Sequence, residues 1–238
     1  MATLAVVRRA IRVLANAERA KTNAWFFKTG KGEYGEGDCF LGLRGPEMRV
    51  IAKQYHGLAL RSVEQLLLSK WHEDRQVGVL ILAEQMRRGD ATVRRVVYDC
   101  YLAHTDRINN WDLVDVSAHE VVGRYLLEER KSTNVLDRLA KSKLLWDRRI
   151  AMIATFTFIR AGEFDVALRI ADLLLHDEHD LMHKAVGWML REVGNRDRAT
   201  EEQFLKTRYA TMPRTMLRYA IEKFPEPRRK AYLHGTVS

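Results

Sequence analysis

Apolar residues recur at helical spacing along nearly the whole of this 238-residue chain, and only four prolines, at 46, 213, 225 and 227, interrupt it. Val77, Leu80, Ile81 and the run from Leu82 to Met86 fall on one stripe, as do Val93, Val96, Val97 and Cys100. The same spacing links Leu136, Leu139 and Leu144, then Val166, Leu168, Ile170 and Leu173 to Leu175, then Met216, Leu217, Ala220 and Ile221. Such a stripe lets a helix bury one face against its neighbours. Proline lacks a backbone donor and clashes with the preceding turn, and it is absent from these stretches. Helix starts are expected at Asp90, Asn110 and Asn134, and near Pro213. Strand candidates are few, so the chain is expected to be all-α.

Four of the five tryptophans, at 71, 111, 146 and 188, are spaced by about 35 to 42 residues. That is the period of helical hairpins of the HEAT or armadillo type. Asp74-Arg75-Gln76-Val77-Gly78-Val79 resembles Asp147-Arg148-Arg149-Ile150-Ala151-Met152, and Met182-His183-Lys184-Ala185-Val186-Gly187 echoes both. Each echo sets a cation before a small residue that lets neighbouring helices approach. Stacked hairpins curve and leave a concave surface. The expected architecture is one domain over 1–238, a right-handed superhelix of HEAT-like hairpins whose concave face is basic. A plain helical bundle with coincidental tryptophans is the alternative.

Forty Lys and Arg against 31 Asp and Glu give a formal charge of +9, which favours polyanions: nucleic acid first, an anionic membrane surface second. No apolar run is long enough to span a bilayer. Two cysteines, Cys39 and Cys100, make neither a disulfide framework nor a zinc knuckle and suit a reduced, intracellular setting. The stretch Met1 to Asn16 is basic and amphipathic like a transit peptide. Its pattern of Leu4, Val7, Ile11 and Leu14 suits a first packed helix better.

One segment breaks the helical reading. Lys28-Thr29-Gly30-Lys31-Gly32-Glu33-Tyr34-Gly35-Glu36-Gly37-Asp38 holds four glycines and is expected to be an exposed loop. It lacks the terminal Gly-Lys-Ser/Thr of a phosphate-binding loop. Lys28, Lys31 and Tyr34 could lie along a nucleic-acid backbone, or the segment could be a plain connector.

Asn110-Trp111-Asp112-Leu113-Val114-Asp115 sets an indole and a carboxylate at i and i+4, on one face of a helix. Two further tryptophans stand among cations, in Trp146-Asp147-Arg148-Arg149 and in Lys184-Ala185-Val186-Gly187-Trp188 with Arg191. Lys184, Trp188 and Arg191 share a helical face. Each residue also has an ordinary role open to it. Asp112 and Asp115 would favour a helix N-terminus, tryptophans more often pack, and Arg148 and Arg149 could pair with acids of a neighbouring hairpin. Trp146 is assigned to packing. His176-Asp177-Glu178-His179-Asp180 with His183 invites a metal reading. The zincin pattern needs Glu directly after the first histidine, and Asp180 stands there instead, so a solvated turn is expected. No lysine has the setting of a Schiff-base nucleophile.

Several of these segments together resemble the AlkD-type alkylpurine DNA glycosylases. They are Phe26 to Asp38 with Phe40-Leu41-Gly42-Leu43-Arg44 and Pro46, then Trp111 to Asp115, Trp146 to Arg149, and Lys184 to Glu192. The resemblance runs from about Ala24 to Phe224. It implies a HEAT-like fold and removal of N3- and N7-alkylated purines, such as 3-methyladenine and 7-methylguanine, from duplex DNA. It further implies that Asp115 is the central carboxylate, Trp111 and Trp188 the flanking indoles and Arg149 the phosphate-binding arginine, with Arg148 as its alternative. The family's N-terminal aromatic contact falls near Tyr34.

An alkylated purine cation already leaves readily, so catalysis must help the sugar, which becomes oxocarbenium-like. A fixed anion stabilises that charge, and Asp115 could also orient the attacking water or accept its proton. Indoles flanking a cationic base contribute roughly 0.5–2 kcal/mol each through cation–π attraction. Arg148, Arg149, Lys184 and Arg191, with Lys28, Lys31 and Tyr34, are the expected DNA contacts. The expectation is therefore a monofunctional, monomeric glycosylase that needs no cofactor or metal, cytoplasmic and nucleoid-associated when bound to DNA. The rival is a non-catalytic helical-repeat module that binds nucleic acid or scaffolds proteins, since fold alone does not choose.

Overall fold

The structure, a computed structural model, describes residues 2–237. Among them it holds helices and turns, and the only strand-like pairing is an isolated bridge between Cys39 and Trp71. The chain divides into two compact units at Tyr125–Leu126. The first comprises α1 (Leu4–Val13), α2 (Ala17–Phe26), α3 (Gly45–Gln54), α4 (Leu60–Leu67), α5 (His72–Arg88), α6 (Ala91–Ala103) and α7 (Trp111–Ala118). A π-turn over His119–Gly123 leads from α7 into α8 (Arg124–Glu128), which carries the boundary. The second comprises α9 (Asn134–Ala140), α10 (Leu145–Ala154), α11 (Phe156–Arg160), α12 (Asp165–Leu173), α13 (Asp180–Gly194), α14 (Arg198–Lys206), α15 (Arg214–Ala220) and α16 (Glu226–His234).

Several helix starts lie where side-chain chemistry asks for them. Asp90 accepts the Val93 N–H at 2.9 Å and opens α6, and Asn16 accepts the Arg19 N–H at 2.9 Å and opens α2. Asn134 is the first residue of α9, and Pro213 directly precedes α15. The N-terminal stretch forms α1, which buries Val7 and Ile11 completely and leaves Leu14 exposed. The expected stripe is thus fully buried at its centre, with Leu4 half-buried at one end and Leu14 just past the helix at the other. In the first unit α5 is the hub, packing against α3, α4, α6 and α7, and thirteen of its seventeen residues are buried. In the second, α13 packs against α10, α12, α14 and α15.

The sequence echoes correspond to one repeated way of starting a helix. Ser69 Oγ accepts the Trp71 N–H and donates to Asp74, while Arg75 reaches back to the Ser69 carbonyl at 3.1 Å. Ser142 does the same with Leu144 and Asp147, and Arg148 returns to the Ser142 carbonyl at 3.1 Å. At the third echo Asp177 accepts the His179 N–H and His183 returns to the Asp177 carbonyl. In the first two echoes the arginine directly after the acid therefore serves the loop behind it. Arg75 pairs with Asp38 at 2.8 Å and is almost wholly buried, and Arg148 pairs with Asp177 at 2.6 Å. This corrects the expectation that the echoed cations form an open basic stripe. The reason is that the loop leading into each helix has carbonyl oxygens that need donors, and a guanidinium with several N–H groups supplies them.

The small residues of the echoes do mark close approaches. A Cβ on Gly78 would stand 3.0 Å from Leu67 Cδ2 of α4, and one on Gly187 would meet the Met216 carbonyl and Tyr219 Cβ at α15.

Candidate active site

The first turn of α7 holds Trp111 and Asp112, and the second brings Asp115 to the same helix. Asp112 is not spent on the helix dipole. Its Oδ2 bonds His72 Nε2 at 2.8 Å, and His72 Nδ1 bonds Asp38 Oδ2 at 2.8 Å, so one imidazole ties α7 to the loop before α3. Arg75 donates to the other oxygen of Asp38 at 2.8 Å. All four side chains are buried or nearly so. Burial works against a charge on His72, but the carboxylates of Asp112 and Asp38 outweigh it and raise its pKa to about 9. Burial would likewise push Asp38 upward, yet His72 and Arg75 hold its carboxyl below the usual range. The result is an imidazolium that donates both ring N–H groups. Phe40 and Phe27 stack with its ring at 4.5 and 5.3 Å between centroids.

Trp111 continues this aromatic cluster outward. Its ring lies 5.2 Å from Phe27 and 6.0 Å from Phe26, and its Nε1–H donates to the Tyr34 hydroxyl at 3.1 Å. Phe26 is 55% exposed and Trp25 80%, so the end of α2 presents aromatic surface beside Trp111. The glycine-rich segment is a loop, as its sequence requires, but an ordered one. Glu33 and Glu36 accept the N–H groups of Gly30 and Gly32, and Gly32 and Gly37 adopt φ of 80° and 78°, where a side chain would strain the backbone. The loop exposes Lys28 and Lys31 and turns Tyr34 inward to Trp111.

Asp115 faces a different surface from Asp112. It lines a cleft of about 540 Å³ with Arg49 and Lys53 of α3, Leu80 and Arg87 of α5, and His119 of the π-turn. Such turns often accompany functional sites. Arg87 is held by Glu84 at 2.8 Å and by Glu120 at 3.5 Å. Arg49 and Lys53 are exposed, one turn apart, and pair with no carboxylate among the described residues. The cleft thus joins a half-buried carboxylate to cations available for phosphate.

The remaining expected residues belong to the second unit. Lys184, Trp188 and Arg191 are half-exposed positions of α13 between buried neighbours, so they do share a face. Trp188 lies 6.1 Å from Phe156 and donates to Glu192 at 3.3 Å. Lys184 pairs with Asp180 at 2.7 Å, and Arg191 with Glu222. Arg149 is 5% exposed and donates to the Leu181 carbonyl at 2.6 Å. Arg148 serves Asp177 and the carbonyls of Ser142 and Lys143. Trp146 is half-buried. His179 caps α13 by accepting the Leu181 N–H, and His183 bonds a carbonyl, so this cluster forms a turn. Among the described residues no group of three or more His, Cys, Asp or Glu is arranged to hold a metal ion. Burial pushes the Cys100 thiol up to about 12, far from a reactive thiolate.

Sequence reading missed His72, Asp38, Phe26, Arg49 and Lys53. Arg49 and Lys53 did carry a signal, two cations at i and i+4 after Pro46. His72 and Asp38 carried none, because 34 residues separate them.

The family model described as DNA alkylation repair enzyme matches residues 7–224. A solved structure, a predicted DNA alkylation repair enzyme from Enterococcus faecalis, superposes with a TM-score of 0.71 at 16% identity. The match covers 89% of this chain and 97% of that one, and at this identity it speaks for the fold. No curated protein matches the sequence. No helix among the described residues is long and apolar enough to cross a membrane.

Proposed function

The chain belongs to the DNA alkylation repair enzyme family, and from that premise we propose that it is a monofunctional DNA N-glycosylase releasing cationic N3- and N7-alkylpurines from duplex DNA. The observation that carries this reading is the placement of Asp115 in an open cleft beside the exposed cations Arg49 and Lys53, one helical turn from Trp111. Arg49 and Lys53 grip phosphates near the lesion, and such contacts position the duplex without reading its sequence. Trp111, with Phe26 beside it, offers π-faces to the sugar and the charged base. As the glycosidic bond breaks, its electron pair leaves with the purine, which becomes neutral, and the positive charge passes to the sugar. The Asp115 carboxylate stabilises that charge, and water then adds to C1′ and gives up a proton. In the second unit, Trp188, Lys184 and Arg191, half-exposed on one face of α13, are the side chains offered to DNA, whereas Arg149 is spent on the Leu181 carbonyl.

The test is release of free 7-methylguanine or 3-methyladenine from methylated duplex DNA. Wild type releases base, whereas Asp115→Asn loses at least about a hundredfold in rate, the scale of one transition-state electrostatic contact, and still binds DNA. Tight binding by wild type with no base released would overturn the proposal in favour of a binding module.

A further inference from the structure

We propose that Tyr34 is a positioning residue for Trp111, an inference that rests on the glycosylase reading and deepens it by assigning the glycine-rich loop a role. An indole has a single donor, so the direction of its Nε1–H selects between the two flipped placements of the ring. For Trp111 that donor meets the Tyr34 hydroxyl at 3.1 Å. The other neighbours, Phe26 and Phe27, present ring surfaces that accommodate either placement.

Tyr34 can act as a fixed acceptor because its loop is fixed. Glu33 and Glu36 bond the N–H groups of Gly30 and Gly32, and the Gly35 N–H returns to the Lys28 carbonyl at 3.1 Å. A Cβ at Gly35 would collide with the Phe27 carbonyl, so the loop folds tightly onto the end of α2. Its far end is anchored by Asp38, which bonds His72 and Arg75 in the interior. The same His72 holds Asp112, the residue after Trp111. The first turn of α7 and the loop therefore share one buried anchor, and the phenol stands at a set distance from the indole. Tyr34 thus acts through Trp111, with Lys28 and Lys31 left on the outer surface of the loop.

Tyr34→Phe removes one oxygen and leaves the ring. It is compared with wild type, Trp111→Phe and the double variant by single-turnover release of 7-methylguanine and by duplex affinity. The expected result is a rate about fivefold to tenfold lower in Tyr34→Phe, the scale of one hydrogen bond, with Kd within about twofold of wild type. In the Trp111→Phe background, which has no indole donor, removing the hydroxyl has no further effect. With 5-fluorotryptophan incorporated, the fluorine resonance lost in Trp111→Phe shifts in Tyr34→Phe. An unshifted resonance, an equal loss in both backgrounds, or a weakened Kd at unchanged rate would overturn the proposal, the last pointing to direct DNA contact. If wild type releases no base, the glycosylase reading falls, and the fluorine resonance still decides the role of Tyr34.

Discussion

The buried imidazolium makes stability depend on pH in a window the structure defines. His72 titrates at 6.5 in an unfolded chain and at about 9 in the fold, because Asp112 and Asp38 overcome the opposing effect of burial. A raised folded-state pKa means that the folded form holds the proton more tightly. The stabilisation is fully present below 6.5, declines as pH rises, and is gone above about 9. At roughly 1.4 kcal/mol per pH unit the interval amounts to about 3 kcal/mol, a large part of the stability of a typical domain. The lowered Asp38 is the other side of the same bond and is not counted again. Urea unfolding of wild type and His72→Gln, measured from pH 5.5 to 9.5, isolates the His72–Asp38–Asp112 cluster, since titrating groups outside it cancel in the difference. The advantage of wild type should shrink by about 3 kcal/mol across that range. A flat difference, or an imidazole seen by NMR to titrate near 6.5, would refute the reasoning.

Four further outcomes are expected. Burial raises the Glu201 carboxyl to about 9, so wild type should lose stability relative to Glu201→Gln as pH climbs from about 4.5 toward 9; parallel urea curves would show that Glu201 is charged in the fold. Gly187→Ala drives a methyl group into α15 and should cost about 1–3 kcal/mol in urea unfolding; a cost near zero would mean that α15 yields. Replacing both Arg49 and Lys53 by Ala should lower the salt slope of duplex binding by about 2, at roughly one per phosphate contact. Arg148→Ala, which breaks an internal ion pair, should instead reduce stability and leave that slope unchanged; the reverse pattern would move the phosphate site to Arg148.

The candidate site was legible where its parts are local. Trp111 and Asp115 share a helix, as do Lys184, Trp188 and Arg191, and the spacing alone placed each set on one face. The helix starts at Asp90 and Asn134, and the close packing at Gly78 and Gly187, were legible for the same reason. Arg75 and Arg148 misled because a cation beside an acid reads as surface charge, and nothing local says that the helix start is enclosed. Tyr34 was legible as an aromatic on a loop, but its partner lies 77 residues away.

Helical periodicity, scarce proline and a glycine cluster that cannot propagate a helix fixed the class of fold and the position of the long irregular segment between α2 and α3, because backbone preferences act over a few residues. Which carboxylate of α7 would be locked inside and which would face the open cleft was decided only when α5 and the glycine-rich loop packed against it. Asp112 and Asp115 are the same residue type one turn apart, and the difference between them comes from what the fold brings alongside: a histidine 40 residues distant for one, and two cations of α3 for the other.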